Sequence, residues 1–534
     1  MRFTILDCYT DEPSGLGVPP YLITYPRYIA GAILKYNRDN IKGNNESNNK
    51  ENNINQNIDD TQHDYFYLTI DDIRLHKFYN GKIKNTATTN IRIANLSKNY
   101  PNIQKILDST DILIVVGGVQ TPGKYLSALP GTLAEISMFI KDLKCLKVLT
   151  GPSAMAGEGL FGGRLATQQN TAMLKYGFGL VIPNLEYKFD LLMANNFSED
   201  VQATNMYKFI REQAILGAEI VKQHPQYSEF MIVDVETARG CNAATCSFCT
   251  EPVKNAFMLR PIQDVVDECI ALARNGIKNI RLGKQADFFS RSPQQIEQML
   301  KAIVDNCKPE ILHIDNVNPR FVTEEKTKLV VEYCTPGNVA AFGVESFDPK
   351  VIALNKLNAD ADSTLNAAKI INKYGQVRGS NGMPKFLPGI NIIFGLEGES
   401  KETQQYNMVN LKHMLDNNIQ LRRINIRQVV VFEGTQMAAV GSKFIKKNKK
   451  RYWSWRNQIR QEIDLPMLRK IVPNGTIMTG LRTEIHDGNT TFARQIGSYP
   501  LCVGIKQKLL LNEWVDIKVV GHMLRSVTGE IVKS

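Results

Sequence analysis

The sequence has few cysteines and no long apolar run. Nowhere do about 18 apolar residues follow one another, so no membrane-spanning helix and no membrane partner are predicted. The first seven residues form a strand-like segment and lack the charged start and apolar stretch of a signal peptide. Only nine cysteines occur in 534 residues, and six of them stand singly. This usage argues against a secreted disulfide framework and predicts a protein of a reducing compartment, the cytoplasm.

Basic residues outnumber acidic ones. The chain has 64 Lys and Arg against 53 Asp and Glu, which gives a formal net charge of +11. An excess of this kind favours polyanionic partners such as nucleic acid, but here it is spread over a long chain. The charge alone therefore leaves nucleic-acid binding open.

The first block of the chain, residues 1–225, alternates short apolar runs with helix-like stretches. This alternation predicts a Rossmann-like, doubly wound α/β domain with a parallel sheet. The predicted strands are Arg2–Asp7, Tyr65–Ile70, Asp111–Val116 and Lys147–Thr150. An Asn-rich tract at 43–64 interrupts the pattern and predicts a disordered loop, because it has too few apolar residues to bury.

The second block, residues 226–441, repeats a strand and helix pattern six times. The predicted strands are Met231–Val235, Asn279–Leu282, Ile311–Asp315, Val339–Gly343, Gly389–Phe394 and Ile424–Val431. Start and stop signals, such as Gly276 after a helix at 261–275, separate the units. Six β/α units in succession predict a partial (β/α)6 barrel of TIM type, with its active site at the carboxyl ends of the strands.

The character of the chain changes again after residue 441. Residues 442–469 predict a basic, aromatic helical linker, with charges and rings at Lys443, Lys446, Lys447, Lys449, Lys450, Arg451, Tyr452, Trp453 and Trp455. Two interpretations stay open: the charges meet phosphates while the rings stack on bases, or the helix is solvated and its Trp residues face the core. Residues 470–534 contain short apolar runs separated by turn residues, which predicts a small β-barrel.

Three of the cysteines lie close together, at Cys241, Cys246 and Cys249. They follow the first predicted barrel strand, on the face where an active site is expected. A structural zinc site needs a fourth ligand, but the next cysteine, Cys269, falls inside a predicted helix. Three thiolates without a fourth ligand favour an iron-sulfur cluster in which one iron stays free to bind a small molecule.

With this trio, an aromatic Phe248 before the last cysteine and six β/α units, the chain resembles the radical SAM superfamily. The usual family spacing is C-x3-C-x2-C, whereas Cys241, Cys246 and Cys249 give C-x4-C-x2-C, a loop variant. The resemblance implies that the three cysteines hold a 4Fe-4S cluster and that S-adenosylmethionine chelates its unique iron. It also implies reductive cleavage to a 5′-deoxyadenosyl radical and an electron donor such as ferredoxin or flavodoxin.

Further strand-end segments are similar to ligand-binding segments of the same superfamily. Residues 282–287 occupy the place of the segment that meets the methionyl amino group. There Gly283 would let the backbone approach the ligand, and Gln285 or Asp287 would accept a hydrogen bond from the ammonium. Taken alone, the segment is equally typical of a capped βα turn.

Two later segments complete the resemblance in the barrel. Residues 342–346 are similar to the family's Gly-x-Glu-Ser segment, which implies that Glu345 and Ser346 contact the methionine or ribose part of the ligand. Residues 391–399, with Gly395, are similar to the segment that lies against adenine. His313 and Arg427 are expected to be either interior-facing groups or ordinary core polar residues, and no catalytic side chain is assigned.

A Rossmann-like domain before such a core resembles two architectures, the methylthiotransferases and the cobalamin-dependent radical SAM methylases. The first needs three cysteines in this domain, which has only Cys8 and Cys145. The usual cobalamin signature, Asp-x-His-x-x-Gly, is absent, but some methylases bind cobalamin without that histidine. In that case Gly117-Gly118 and Gly151-Pro152-Ser153 would line the pocket. The alternative is an α/β domain without a cofactor.

Over nearly its whole length the chain resembles an uncharacterised archaeal group of radical SAM proteins with the segments Asp11-Glu12-Pro13 and Gly17-Val18-Pro19-Pro20-Tyr21. Residues 491–494 are similar to part of a TRAM-type, RNA-binding barrel. The hypothesis is methylation or another modification of RNA, such as tRNA. Alternatives are radical modification of a protein or small molecule in archaeal cofactor metabolism, and a non-catalytic iron-sulfur protein.

Overall fold

The computed structural model describes residues 1–9, 21–48, 65–78, 95–118, 130–156, 162–166, 177–194, 206–227 and 230–532. Contacts divide the chain into two units. The first unit comprises Met1–Glu158, Thr167–Met231 and Asp267–Ile277, and the second comprises Gly159–Ala166, Ile232–Val266 and Lys278–Ser534. None of the helices in these ranges combines the length and the apolar character that a membrane span requires.

The first unit contains a parallel five-stranded sheet. In spatial order its strands are Tyr65–Thr69, Phe3–Asp7, Ile112–Val116, Leu146–Thr150 and Leu180–Val181. Numbered along the chain this order is 2-1-3-4-5, which is a doubly wound topology. The predicted Rossmann-like fold is therefore confirmed, and the short fifth strand is the one that the sequence pattern missed.

Helices connect the strands of the first unit and pack on its sheet. Leu6, Leu113 and Leu149 of three strands share a core with Ile136 and Phe139. The helices are Thr24–Asn48, Ile70–Phe78, Ile103–Ser109, Leu133–Ile140, Pro152–Ala156, Leu185–Ala194 and Met206–Leu216, with 3-10 turns at Tyr100–Asn102 and Gly217–Gln223 and a short strand at Tyr21–Leu22.

Parts of two sequence predictions lie outside the described residues. Residues 43–48 of the Asn-rich tract form the end of the helix Thr24–Asn48, so this part of the tract is helical. The remainder, 49–64, is outside the described ranges, and the expected disordered loop stays a prediction there. The segments at 11–13 and 17–20 are also outside them.

The second unit contains the predicted partial barrel. Its strands pair in parallel as Ile311–Ile314, Asn279–Gly283 and Ile232–Glu236, and as Asn316–Val317, Asn338–Glu345, Phe386–Phe394 and Arg423–Gln428. The six predicted strands are confirmed, although the third continues as two pieces on either side of Asp315. The larger helices of this unit are Pro293–Cys307, Glu324–Tyr333, Ala361–Gly375 and Lys401–Asp416, and the helix Ile262–Arg274 after the first strand belongs to it only as far as Val266.

Short elements decorate this barrel. Two-stranded ribbons pair Ala238–Arg239 with Met258–Leu259, and Arg164–Leu165 with Val430–Val431. Short helices and 3-10 turns lie at Glu251–Lys254, Phe288–Ser290, Pro319–Phe321, Pro349–Leu354 and Met437–Val440.

The chain ends in a small closed barrel, as the sequence predicts. The helix Lys443–Ile459 continues through a π-helical turn, Arg460–Asp464, into the helix Leu465–Ile471. The barrel strands follow in the order Ile477–Asp487, Thr490–Gln495, Cys502–Ile505, Ser526–Ile531 and Trp514–His522. Their inward side chains form one core, which includes Leu481, Val503, Ile517 and Val527.

A loop of the small barrel, residues 496–501, joins the third and sixth strands of the partial barrel. The Tyr499 hydroxyl donates to Asp315 Oδ1 at 2.6 Å, and the Ser498 amide donates to His313 Nδ1 at 3.1 Å. The guanidinium of Arg423 lies 4.9 Å from the centre of the Tyr499 ring. His313 is therefore a buried core group whose Nδ1 is occupied, and burial lowers its pKa to about 4.

Replacing Tyr499 with Phe tests this link. The change leaves Asp315 without the buried hydrogen bond, which should destabilise the second unit by about 1–3 kcal/mol. Differential scanning calorimetry of the full chain should show a lower unfolding temperature. The exposed Tyr406 provides the control, since Tyr406→Phe should change stability by less than about 0.5 kcal/mol. Equal unfolding temperatures for Tyr499→Phe and wild type would contradict the link.

Candidate functional site

The loop that carries the three cysteines, residues 241–249 and here called the cysteine loop, leaves the carboxyl end of the first barrel strand. Ala238–Arg239, before the loop, pairs with Met258–Leu259, after it, in a two-stranded ribbon. Gly240 begins the loop with φ +72°, and a Cβ there would lie 2.6 Å from the Ala256 carbonyl oxygen. Only glycine meets both conditions, so the entry to the loop is fixed.

Residues 355–358 hold the cysteine loop from a second side. The Ser247 amide donates to the Asn355 carbonyl at 2.9 Å, and the Ser247 hydroxyl donates to Asn355 Oδ1 at 2.8 Å. The Thr245 hydroxyl donates to Asn358 Oδ1 at 2.7 Å. Asn355 also donates from Nδ2 to the Glu397 carbonyl at 2.9 Å. Asn355 thereby ties the cysteine loop to the turn after the fifth strand.

Electrostatics at the cysteine loop disfavour free thiolates. Burial raises the pKa of Cys246 to about 12, with a further contribution from the nearby Cys249. Burial likewise raises the pKa of Cys249 to about 12, and the charge of Cys241 adds to the shift. The three thiols are therefore close enough to repel one another when ionised. A cationic group among them would reverse this penalty, because thiolates are the form that binds metals.

The side chains of the cysteine loop that can bind a metal are the thiols of Cys241, Cys246 and Cys249, and this donor set fits an iron-sulfur cluster. An iron-sulfur cluster has thiolates on separate iron atoms, and its donors are cysteines alone.

Phe248 connects the cysteine loop to an apolar core. It contacts, together with Cys246, a core cluster that includes Val351, Leu396 and Val429. This apolar layer joins the loop to the ends of the fourth, fifth and sixth strands. It explains the desolvation of the thiols, because little water reaches the side of the loop that faces the barrel.

Glu345 is the most unusual carboxylate near the cysteines. It ends the fourth strand after a bulge and has φ +64°, a conformation that costs energy for a residue with a side chain. Burial raises its pKa to about 8, although Arg427 acts in the opposite direction. Its Oε2 has no hydrogen-bond partner among the described residues. Its charge acts on Cys246, which places it near the cysteine loop.

The other residues of the fourth and fifth strand ends have structural partners. Ser346 is buried, and its Oγ accepts from the Asp348 amide at 3.2 Å. Gly395 has φ +94°, and its amide donates to Glu399 Oε2 at 2.7 Å. Glu399 also accepts from Asn448 at 2.8 Å. Burial raises the pKa of Glu399 to about 7, and these bonds lower it.

At the second strand end the candidates differ in availability. A Cβ at Gly283 would lie 2.1 Å from Asp234 Oδ1, so packing alone requires glycine there. Gln285 is buried and uses its amide for bonds to Thr237 and to the Leu282 carbonyl. Asp287 accepts from two backbone amides through Oδ1, whereas its Oδ2 has no partner in the described part of the chain.

The first unit has a tight junction at the ends of its third and fourth strands. A Cβ at Gly117 would lie 2.4 Å from Ser153 Oγ, and Gly151 has φ +85° with the Gly117 carbonyl 2.8 Å from its own Cβ position. The Ser153 amide donates to that carbonyl at 3.0 Å. Ser153 Oγ is buried and has no partner among the described residues. Packing accounts for both glycines, and the hydroxyl remains available.

Sequence reasoning missed Asn355 and Lys284. Asn355 follows the short helix Pro349–Leu354, and no motif marks it, because its partners lie far away in the chain. Lys284 has φ +64°, and its Nζ lies 4.0 Å from Glu236 Oε2. A lysine in the left-handed region beside a predicted strand end is visible only in the structure.

Comparisons with known proteins agree with this geometry. A family model described as the radical SAM superfamily matches residues 235–405, which include the three cysteines and the second to fifth barrel strands. An uncharacterised protein of Methanocaldococcus jannaschii is 39% identical over 561 residues, covering 100% of this chain and 93% of that protein. An uncharacterised protein of Archaeoglobus fulgidus is 35% identical, covering 99% of this chain and 90% of that protein.

Among solved structures, the radical S-adenosylmethionine methyltransferase TsrM of Kitasatospora setae, with cobalamin and a [4Fe-4S] cluster bound, is similar at a TM-score of 0.48. The two sequences are 12% identical, and the match covers 82% of this chain and 76% of TsrM.

The raised pKa values of the thiols predict slow alkylation in cluster-free protein. Because the thiolate is the reactive form, Cys246 and Cys249 should react little with iodoacetamide at pH 8, and their rates should rise steeply above pH 10. Mass spectrometry of peptides gives the rate at each residue. In urea the same thiols should react with an ordinary pKa of about 8.5. Rates at pH 8 that are equal with and without urea would contradict the desolvated site.

Proposed function

This chain belongs to the radical SAM superfamily, and we propose that it is an iron-sulfur enzyme that cleaves S-adenosylmethionine reductively to modify RNA, for example by methylation. The observation that carries the proposal is the trio of cysteines that follows the end of the first barrel strand, with Cys246 and Cys249 largely shielded from water. When bound there, a 4Fe-4S cluster would supply the electron that splits S-adenosylmethionine into methionine and a 5′-deoxyadenosyl radical. An electron donor such as ferredoxin or flavodoxin would have to supply that electron.

The chain's own residues would hold and shield these groups. Cys241, Cys246 and Cys249 would bind the cluster as thiolates, and Asn355 would keep their loop in place through Ser247. The apolar layer with Phe248 would keep water from the barrel side of the site. Exclusion of water protects a radical from side reactions.

Two carboxylates are available for the cationic ligand. Glu345 ends the fourth strand and Asp287 caps the turn that follows the second strand, and each has one oxygen without a partner among the described residues. We propose that they accept hydrogen bonds from the ammonium or ribose of S-adenosylmethionine. Gly283, Gln285, Ser346 and Gly395 would shape the surrounding turns through the contacts described above.

Cobalamin is a further proposed cofactor, held by the first unit. In sheets of 2-1-3-4-5 order, ligands bind at the carboxyl ends of the strands near the point where the order reverses. Here that point lies between Phe3–Asp7 and Ile112–Val116, beside Gly117-Gly118. The Ser153 hydroxyl, which is buried and has no partner among the described residues, is a polar group that such a ligand would satisfy.

The helix Lys443–Ile459, here called the basic helix, supports RNA as the substrate class. Its buried face includes Tyr452 and Trp455, whose rings lie 5.9 and 5.4 Å from that of Phe394. Trp453 points the other way and is 66% exposed, with the Arg456 guanidinium 5.4 Å from its ring centre. Trp455 therefore faces the core, whereas Trp453 and the lysines are exposed to solvent.

The exposed face of the basic helix is strongly positive. All five of its lysines, Lys443, Lys446, Lys447, Lys449 and Lys450, are exposed. Five positive charges beside an exposed ring suit phosphates flanking a stacked base. A protein or small-molecule substrate, and an iron-sulfur protein without catalysis, are the alternatives that the experiments below would reveal.

Loss of one cluster ligand tests the proposed site. After anaerobic reconstitution, Cys246→Ala should contain much less iron and sulfide than wild type, because one thiolate ligand is missing. It should also lack the broad absorption of the cluster at about 400 nm. Cys307→Ala, at the end of a distant helix, is the matched control and should retain them. Equal iron and sulfide contents in Cys246→Ala and wild type would refute the assignment.

RNA binding by the basic helix has its own test. The full chain should bind tRNA with a steep salt dependence, and changing Lys446, Lys449 and Lys450 together to Gln should lower the slope of log K against log salt by up to about three. A triple change of the exposed Lys301, Lys350 and Lys369 to Gln is the control. Absence of tRNA binding at low salt would leave the protein or small-molecule alternative.

A further inference from the structure

One buried side chain joins the cysteine loop to a second segment of the candidate site. This segment is the turn after the fifth strand, residues 395–398, which belongs to the stretch similar to the one that lies against adenine in radical SAM proteins. Asn355 is 0% exposed and bonds to both segments. All three lie in the second unit. The resemblance to radical SAM proteins assigns Asn355 no role.

The Asn355 amide pairs with the backbone of Glu397 as another peptide group would. Its Nδ2 donates to the Glu397 carbonyl at 2.9 Å, and its Oδ1 accepts from the Glu397 amide at 3.3 Å. The same Oδ1 accepts from the Ser247 hydroxyl of the cysteine loop at 2.8 Å. A single oxygen atom is therefore shared by the loop and the turn.

The hydrogen-bonding capacity of this amide is fully used. Nδ2 makes a second bond, to the Val351 carbonyl at 2.9 Å, in addition to the three bonds with Glu397 and Ser247. An asparagine side chain has two N–H donors and two acceptor lone pairs, so four bonds satisfy it. Aspartate has no donor, leucine has neither donor nor acceptor, and glutamine is longer by one methylene. The contacts therefore require asparagine at this position.

The helix Pro349–Leu354 supports Asn355 from both of its ends. Asp348 caps the first turn through Oδ1, and its Oδ2 accepts from the Thr403 hydroxyl, in the helix after the fifth strand, at 2.6 Å. At the other end, a Cβ at Gly398 would lie 2.7 Å from Leu354 Cδ1, so the turn packs against the end of the helix. The backbone that carries Asn355 is thus fixed by neighbours on the fifth-strand side.

The turn itself has few internal restraints. Gly395 and Gly398 have φ +94° and +86°, and glycine moves between such conformations and others with little cost. An apolar layer that includes Leu396 and Phe248 also joins the turn to the cysteine loop. Apolar contacts are non-directional, whereas hydrogen bonds depend on distance and angle. The bonds of Asn355 therefore set the position of the turn relative to the loop.

We propose that Asn355 is a positioning residue for S-adenosylmethionine, because it fixes the turn after the fifth strand relative to the cysteine loop. The proposal rests on the proposed function, in which a cluster on the loop binds one end of S-adenosylmethionine, and on the resemblance of the turn to an adenine-binding segment. A ligand held at both ends binds tightly when the two places are preorganised to match it. Loss of the Asn355 amide should therefore weaken the binding of S-adenosylmethionine while the three cysteines still hold the cluster.

The experiment uses the reconstituted full chain, reduced with dithionite, and follows the electron paramagnetic resonance spectrum of the cluster as S-adenosylmethionine is added. Asn355→Ala should contain as much iron as wild type and give the same spectrum before the addition. Its midpoint should require about tenfold more S-adenosylmethionine, a factor typical of the loss of a buried hydrogen-bonding group. The control is Asn306→Ala, which removes an exposed amide bonded to the Ala302 carbonyl of its own helix and should titrate as wild type does.

A second variant tests whether Asn355 acts through the cysteine loop. Ser247→Ala removes one bond to Asn355 Oδ1 and leaves those to Glu397, so its midpoint should rise by about threefold. The double variant Ser247→Ala/Asn355→Ala should shift no further than Asn355→Ala alone, because both changes remove the same contact.

Equal midpoints in wild type and Asn355→Ala, or additive shifts in the double variant, would overturn the proposal. If Asn355→Ala does not retain its iron, Ser247→Ala decides, and an unchanged midpoint there would overturn it. Both outcomes leave the enzyme assignment intact. A wild type that forms no cluster, or whose spectrum S-adenosylmethionine does not change, would overturn the proposed function together with this proposal.

Discussion

Desolvation of the cysteine loop is the constraint on which the site depends. Partly buried thiols at close quarters resist ionisation, and burial raises the pKa of Cys246 and of Cys249 to about 12. A positively charged group that binds all three thiolates would therefore stabilise the loop most. The hydrogen bonds of Asn355 and the positive φ of Gly240 hold the loop in this unfavourable arrangement, so the fold bears the cost before any ligand arrives.

The barrel places the remaining groups around that loop. Glu345 and Asp287 each have one oxygen without a partner in the described part of the chain, and a bulge at Glu345 and a capped turn at Asp287 fix their backbones. Glu399 fixes the fifth strand end to the basic helix through Asn448. The helix that presents lysines to solvent is thus anchored at the fifth strand end, beside Gly395. This contact connects the proposed RNA-binding surface to the barrel that carries the proposed cluster site.

The sequence predicted the regular elements well because their signals are local. Alternating apolar runs placed every barrel strand within a few residues, and the glycine after residue 275 marked the end of a helix correctly. The contacts of Gln285 and Gly283 were not predictable in this way. The amide oxygen of Gln285 accepts a hydrogen bond from Thr237, and the absence of a side chain at Gly283 leaves space for Asp234. Both contacts join residues that are tens of positions apart.

Asn355 was beyond sequence reasoning for the same reason. Its side chain bonds to Ser247 and to the Glu397 carbonyl, which lie 108 and 42 positions away in the chain. The Asn-rich tract illustrates the opposite limit, since its composition predicted a loop although residues 43–48 extend a helix. Composition describes what a segment is able to bury and says little about where a helix ends.

The central claim is that the three cysteines serve to cleave S-adenosylmethionine. Its most direct test is the formation of 5′-deoxyadenosine when the reconstituted, anaerobic wild-type protein is mixed with S-adenosylmethionine and dithionite. The account predicts 5′-deoxyadenosine and methionine in equal amounts, formed only when the reductant is present. A fully reconstituted protein that shows the cluster absorption but yields no 5′-deoxyadenosine would contradict it.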